Sequence, residues 1–126
     1  MNVPEDIYYT DEHEWIRVIG GSTVRIGITD YAQDQLGDVV FVELPEIGKE
    51  LAKDDLVAEI ESTKSVGEVY APFAGVVGQV NEAVVATPEL VNTSPYDEGW
   101  LVEIGVSGEL DTTGLLDASA YRNLTE

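Results

Sequence analysis

The chain has 126 residues, of which 44% are hydrophobic, so it has enough apolar side chains for one folded domain over residues 1–126. It contains no cysteine, which excludes disulfides, thiolate metal ligands and cysteine nucleophiles. Its 25 acidic and 6 basic residues give a formal net charge of −19, so we expect no nucleic-acid partner and no membrane partner.

The segment that follows the N-terminus predicts a β-hairpin. β-Branched and aromatic residues dominate residues 14–19 and 23–28, as is typical of strands. Gly20 and Gly21 lie between these two runs and can supply the positive φ angles that a tight hairpin turn requires.

Residues 30–36 predict a short helix. Asp30 is expected to be its N-cap, with Gln33 three residues later as in a capping box. Gly37 suits the position that follows the last helical turn, because glycine adopts a left-handed conformation without steric penalty.

Short strands dominate the rest of the chain. They are predicted at residues 39–44, 56–61, 66–70, 73–80 and 100–104. A polar loop is predicted over residues 87–99, and a helix capped by Asp117 over residues 115–125. Many short strands separated by turns favour an antiparallel sandwich or barrel over a parallel α/β sheet.

The chain offers little that indicates catalysis. Its only histidine, His13, has no serine in a nucleophile-elbow pattern to work with, and no phosphate-binding glycine loop is present. No loop of spaced oxygen ligands predicts a metal site. His13 is expected to be a surface or hydrogen-bonded residue, and Trp15, Phe41 and Trp100 are expected to pack in the core or along a packing seam.

Lys64 lies in the turn between the strands predicted at residues 56–61 and 66–70. This strand–turn–strand order predicts a hairpin that displays the ammonium group at its tip. A lysine in a turn is usually only a solvated charge. A tip carried by two rigid strands also gives a modifying enzyme access to the amine, and it fixes where an attached group begins its swing.

The residues around Lys64 resemble a lipoyl attachment hairpin. They read Glu61-Ser62-Thr63-Lys64-Ser65, followed by Val69-Tyr70-Ala71-Pro72-Phe73-Ala74-Gly75-Val76-Val77. Further matching segments are His13-Glu14-Trp15 and residues 26–34, 36–45, 90–92, 94–96 and 99–101. The lysine hairpin alone would indicate only a lipoyl or biotinyl carrier. Together with the other segments, it resembles the glycine cleavage H-protein family from about Tyr8 to Leu124.

This resemblance implies a mostly β, hybrid barrel-sandwich fold with short flanking helices, and a carrier without catalysis of its own. Lys64 would hold lipoic acid as an amide, attached by a lipoyl ligase or transferase. The arm would take an aminomethyl group from a pyridoxal-phosphate-dependent glycine decarboxylase. It would deliver that group to a tetrahydrofolate-dependent aminomethyltransferase and be reoxidised by a dihydrolipoyl dehydrogenase.

The resemblance also implies that the loaded arm folds into a cleft of the protein body, which would keep water away from its reactive carbon. Glu14 and Glu68 match family positions near that cleft. Two positions depart from the family pattern, because many members have Ser where this chain has Glu12 and His where it has Gln35. The family roles of those two residues are therefore not carried over.

Alternative interpretations remain open at this point. A lipoyl or biotinyl domain of an acyl-transfer or carboxylase complex is usually shorter, and a biotin site usually has Met on both sides of the lysine, where this chain has Thr63 and Ser65. A lipoyl relay would pass the group on to other dehydrogenases. An acidic binding module would leave Lys64 unmodified, and an autonomous hydrolase would not need it.

The acidic residues are spread along the whole chain, which predicts a solvated acidic shell around a folded domain. The N-terminal segment is acidic and polar, unlike a secretory signal or a basic transit peptide, so we expect a cytoplasmic protein. Self-repulsion of this size is best tolerated where salt screens it, so we also expect adaptation to high salt.

Salt adaptation predicts that adding molar KCl raises the melting temperature, because screening weakens the repulsion between carboxylates in the folded state. Thermal unfolding followed by circular dichroism at low and molar KCl measures this effect. A melting temperature that falls on adding the salt would contradict the hypothesis.

Overall fold

The computed structural model describes all 126 residues and contains nine strands and four short helices. The strands are β1 (Tyr8–Tyr9), β2 (Glu14–Gly20), β3 (Thr23–Ile28), β4 (Val39–Glu43), β5 (Glu50–Leu51), β6 (Leu56–Ser62), β7 (Val66–Tyr70), β8 (Gly75–Val80) and β9 (Val102–Val106). The helices are α1 (Asp30–Leu36), α2 (Glu82–Ala86), α3 (Leu90–Thr93) and α4 (Ala118–Thr125). No helix has the length and the apolar character needed to cross a membrane.

The strands form two antiparallel sheets. The larger sheet has six strands in the order β1-β2-β3-β9-β8-β5, and the smaller sheet has three in the order β4-β6-β7. Every strand pair in both sheets is antiparallel. The predicted hybrid barrel-sandwich architecture is confirmed, although neither sheet closes into a complete barrel.

The main core is formed by apolar side chains of both sheets. Its fully buried members include Ile16, Val24, Ile26, Ile104, Ile60, Val42 and Val69. A second cluster packs where the N-terminal segment meets α4, and it contains Tyr9, Trp15, Tyr96 and Tyr121. Both clusters remove apolar surface from water, which is the main favourable contribution to folding.

The prediction for Trp15 is confirmed, whereas that for Phe41 is wrong. Trp15 is fully buried, and its indole N–H donates to the carbonyl oxygen of Pro95 at 2.9 Å. Phe41 is 47% exposed because it pairs with Glu61 in the register that points side chains away from the core. Its neighbour Val42 occupies the inward position instead.

The helix predicted at residues 30–36 has a different N-cap. Thr29 is the capping residue, and its hydroxyl oxygen accepts a hydrogen bond from the Ala32 N–H at 3.1 Å. Asp30 is instead the first helical residue, and its carboxylate accepts a hydrogen bond from the Gln33 side chain at 2.7 Å. Gly37 has the predicted positive φ, at 86°.

Several other bounds differ from the predictions. The C-terminal helix begins after its predicted N-cap, Asp117, and the last strand lies two residues further along the chain than expected. Helix α3 lies inside the predicted polar loop, and α2 was not predicted. The two-residue strands β1 and β5 are too short to leave a periodic pattern in the sequence.

Gly75 allows β8 to lie close to β9. A Cβ atom on Gly75 would collide with the carbonyl oxygen of Gly105 and would lie 2.8 Å from Ile104 Cγ2. Gly78, on the same strand, is more open, because a Cβ there would meet only the Glu103 carbonyl oxygen at 3.9 Å.

We therefore expect Gly75→Ala to lower the free energy of unfolding by about 1–3 kcal/mol, since one strand must shift to relieve the collision. Gly78→Ala is the matched control and should change it by no more than about 0.5 kcal/mol. Urea unfolding of the three proteins at one pH gives both values. Equal effects of the two substitutions would show that the close approach of the strands is not required.

Candidate functional site

Lys64 lies at the tip of the β6–β7 hairpin, and its side chain is exposed. Ser62 closes the turn, because its backbone N–H donates to the Ser65 carbonyl oxygen at 2.8 Å. The Ser62 hydroxyl oxygen accepts hydrogen bonds from the backbone N–H groups of Lys64, at 3.3 Å, and Ser65, at 3.0 Å. The same hydroxyl donates to the Leu36 carbonyl oxygen at 2.7 Å, which ties the tip to the end of α1.

The end of α1 and the start of β4, with the two residues between them, contact the backbone of the hairpin tip. The Thr63 N–H donates to the Asp38 carbonyl oxygen at 3.0 Å. On the other side of the connection, the Asn92 side chain of α3 accepts from the Val39 N–H at 2.8 Å and donates to the Gly37 carbonyl oxygen at 3.0 Å. Residues 37–39, on which the hairpin tip rests, are therefore held by hydrogen bonds to both Thr63 and Asn92.

Sequence reasoning missed the structural role of Asn92. Its backbone partners lie 53 and 55 residues away in the chain, so no local spacing could indicate them. In the sequence, Asn92 belongs to the segment at residues 90–92 that resembles the family.

The Lys64 ammonium group has no partner in the protein. The chain forms two ion pairs, Arg25–Glu103 and Arg122–Glu5, and Lys64 makes no side-chain hydrogen bond. The aliphatic part of its side chain lies over Gly37, where a Cβ atom would be 3.2 Å from Lys64 Cε. An enzyme could therefore reach the amine without breaking an existing contact.

The other two lysines are exposed as well, so exposure alone does not distinguish Lys64. Lys49 lies just before the two-residue strand β5, and Lys53 lies in the turn that follows it. Neither is carried at the tip of a hairpin with two full strands. What distinguishes Lys64 is its place at the tip of the hairpin formed by two full strands, β6 and β7.

A cleft of about 290 Å³ lies between α1 and β7, beside this tip. Its walls are formed by Glu12, His13, Ile28, Tyr31, Ala32, Gln35, Leu36, Ile60, Gly67, Glu68 and Val69. Leu36 packs against Gly67, where a Cβ atom would lie 3.1 Å from the leucine methyl groups. Since the Leu36 carbonyl oxygen also accepts the hydrogen bond from the Ser62 hydroxyl, the cleft begins next to the attachment hairpin.

The two acidic residues predicted near the arm lie in different places. Glu68 lines the 290 Å³ cleft, and its carboxylate accepts a hydrogen bond from the Tyr70 hydroxyl at 3.1 Å. Glu14 lines a neighbouring cleft of about 930 Å³, and Glu12 lines both clefts. Gln35, the other departure from the family pattern, lies with Glu68 in the smaller cleft.

Glu14 is a buried carboxyl group, only 2% exposed. It accepts hydrogen bonds from the Tyr70 N–H at 2.6 Å and from the Thr10 hydroxyl at 3.0 Å. Burial raises the pKa of Glu14 to about 7, although these two hydrogen bonds oppose the shift. Glu14 therefore changes protonation state near neutral pH.

The raised pKa predicts how stability depends on pH. An unfolded glutamate titrates near 4.5, so ionisation of Glu14 destabilises the folded state progressively between about pH 4.5 and about pH 7. Glu14→Gln keeps the shape without the charge and should be more stable than the unchanged protein at pH 8, by about 3 kcal/mol. The difference should disappear near pH 4 in urea unfolding experiments.

Glu12→Gln is the control for this experiment, since it removes the same formal charge from an exposed residue. It should have little effect on the pH dependence. If Glu12→Gln and Glu14→Gln stabilise the protein equally at pH 8, the effect arises from the net charge and not from burial.

Comparison with known proteins agrees with this geometry. The model of the family described as glycine cleavage H-protein matches residues 7–126. A glycine cleavage system H protein of Mycolicibacterium smegmatis is 55% identical over 123 residues, which cover 95% of this chain and 94% of that protein. One from Mycobacterium tuberculosis is 53% identical over 132 residues, with coverage of 99% and 98%.

A solved structure shows the same fold. The crystal structure of a glycine cleavage system H protein from Mycobacterium marinum matches with a TM-score of 0.86 and 39% sequence identity, covering 96% of this chain and 97% of that one. The likeness therefore extends over nearly the full length in both sequence and structure. The chain belongs to the glycine cleavage H-protein family.

Proposed function

We propose that this chain, as one carrier domain over residues 1–126, holds lipoic acid as an amide on Lys64 Nζ and serves a glycine cleavage system. Members of the family carry covalently attached lipoate on a lysine and act as the carrier component of that system. The observation that supports Lys64 is its free ammonium group on a hairpin tip whose backbone is fixed by Ser62 and Thr63.

The residues around Lys64 fit a lipoyl group. Amide formation removes the lysine charge, and because the ammonium group is unpaired, no partner would be left without its bond. The cleft beside the tip includes Ile28, Ile60 and Val69, which suit an acyl chain. When bound, the group supplies a disulfide that can be opened and closed by redox exchange, and this cysteine-free chain cannot form mixed disulfides with it.

Each part of the site has a distinct role in this proposal. Ser62 and Asn92 fix the point from which the attached group starts, and the covalent tether keeps that group at high local concentration for every partner. The cleft shields the group from water between encounters. Glu68 is the better candidate for contact with the arm, because it lines this cleft, whereas Glu14 does not line it and is hydrogen-bonded to the Tyr70 N–H.

The proposed partners are a pyridoxal-phosphate-dependent glycine decarboxylase, a tetrahydrofolate-dependent aminomethyltransferase, a dihydrolipoyl dehydrogenase and a lipoyl ligase or transferase. The ligase or transferase would attach the group to Lys64, and the other three enzymes would act on it there. Salt adaptation and a cytoplasmic location remain predictions from the acidic sequence, and family membership gives no support to salt adaptation.

The attachment site can be tested by mass. In cells with active lipoylation, we expect the intact mass of the protein to rise by one lipoyl amide. Lys64→Arg should abolish this increase, whereas Lys49→Arg and Lys53→Arg are matched controls that should retain it. An increase that survives Lys64→Arg, or no increase at all, would rule out the proposed site.

The carrier function requires a second measurement. Lipoylated protein should support glycine-dependent exchange of CO2 by the decarboxylase, and the Lys64→Arg variant should support none. A lipoylated protein that gives no exchange would favour a lipoyl relay. A chain that stays unmodified and inactive would favour an acidic binding module.

A further inference from the structure

A chain of hydrogen bonds links the C-terminal helix to the wall of the 290 Å³ cleft. Tyr121 of α4 is fully buried and stacks on Tyr9, with ring centroids 4.6 Å apart. Its hydroxyl oxygen lies 2.7 Å from Thr29 Oγ1 and 2.8 Å from His13 Nδ1. His13 is one of the residues that line the cleft.

Thr29 determines which group is the donor in each of these hydrogen bonds. Thr29 is fully buried, and its hydroxyl oxygen already accepts the Ala32 N–H that caps α1. Its only other partner is the Tyr121 hydroxyl, so the Thr29 hydrogen must be donated to that oxygen, because a buried donor without an acceptor is unfavourable. The Tyr121 hydrogen is then donated to His13 Nδ1.

This order of donors fixes the tautomer of His13, since Nδ1 accepts a hydrogen bond and the hydrogen of a neutral ring must be on Nε2. Burial lowers the pKa of His13, against the opposing effect of Glu12 and Asp11, and so favours the neutral ring. Burial also raises the pKa of Tyr121 to about 12, so that its hydroxyl remains a donor.

His13 Nε2 is a donor that the protein does not use. It makes no hydrogen bond within the chain, and no buried side-chain nitrogen or oxygen lacks a partner, so Nε2 is not completely buried. The ring is held in place by Tyr121 and by packing against Tyr31, with centroids 4.7 Å apart. Gln35 and Tyr31 also line the cleft, but no hydrogen bond within the protein fixes the direction of their donors.

The position of His13 relative to Lys64 indicates which part of the attached group it would meet. The Lys64 side chain lies over Gly37, at the C-terminal end of α1, whereas His13 packs against Tyr31 near the N-terminal end. Seven helical residues span about 10 Å. His13 is therefore near the end of the cleft away from the tether, where the sulfur atoms of a lipoyl group would lie.

We propose that the Nε2–H group of His13 donates a hydrogen bond to a sulfur atom of the group on Lys64 when that group lies in the cleft. In this proposal, Tyr121 and Thr29 are positioning residues that hold His13 in the donor tautomer. This inference depends on the proposed function. It accounts for the presence of a neutral donor in a cleft whose other walls carry the carboxylates of Glu12 and Glu68. A sulfur atom that gains thiolate character there is repelled by these charges, and His13 supplies a donor whose direction the protein fixes.

The tautomer can be tested by long-range ¹H–¹⁵N NMR, because His13 is the only histidine and its two ring nitrogens can be assigned without ambiguity. In the unmodified protein we expect the hydrogen on Nε2. Tyr121→Phe keeps the stacked ring and should give a mixture of the two His13 tautomers. Tyr9→Phe is the control, because it removes a hydroxyl from the same stack that does not contact His13, and it should leave the hydrogen on Nε2. A hydrogen on Nδ1 in the unchanged protein would overturn the assignment.

The contact with sulfur can be tested with two forms of the modified protein. Reduced lipoyl protein should show a shifted His13 Nε2 resonance, and octanoyl protein, which has the same acyl chain without sulfur, should match the unmodified form. Tyr121→Phe should diminish the shift. Equal shifts in both modified forms would exclude sulfur as the acceptor, and no shift in fully lipoylated protein would overturn the inference. Failure of the proposed function would appear separately, as absence of the added mass on Lys64.

Discussion

Two hydrogen bonds fix the attachment hairpin on the body of the protein. The Ser62 hydroxyl donates to the Leu36 carbonyl oxygen, and the Thr63 N–H donates to that of Asp38. Each contributes about 1 kcal/mol, and they add to the pairing of β6 with β4 in holding the tip in place. Because both bonds involve residues that precede Lys64, they fix the backbone without restricting the ammonium group.

The charge distribution complements this arrangement. A chain with a net charge of −19 has many carboxylates that could pair with any cation, yet it forms only two ion pairs, and neither includes Lys64. The three arginines have structural roles: Arg25 pairs with Glu103, Arg122 pairs with Glu5, and Arg17 donates to the Tyr96 carbonyl oxygen. Modification of Lys64 would therefore disturb no contact that holds the fold together.

The features that could be predicted from the sequence are those that arise from local patterns. The hairpin carrying Lys64 is one of them, because two alternating strands and a short turn lie next to each other in the chain. The orientation of Phe41 could not be predicted in this way, since residues 39–42 are all apolar and alternation does not distinguish the two faces. For α1, Thr29 and Asp30 are both good N-caps, and only the backbone geometry selects Thr29.

The parts of the site that depend on distant contacts were not predictable. Glu14 and Glu68 both match family positions near a cleft, but Glu14 lines the larger cleft, where it accepts the Tyr70 N–H, and Glu68 lines the smaller one. The link from Tyr121 to His13 joins residues 108 positions apart. Such contacts depend on the complete fold, and no spacing in the sequence encodes them.

The attachment site is tested most directly by lipoylating the purified protein with a lipoyl ligase and mapping the modified peptide by tandem mass spectrometry. All three lysines are exposed, so a ligase that recognised only accessible amines would label each of them. The structure predicts that the lipoyl group is found on Lys64 alone. Modification of Lys49 or Lys53 at a comparable rate would contradict the conclusion that the fixed hairpin tip defines the site.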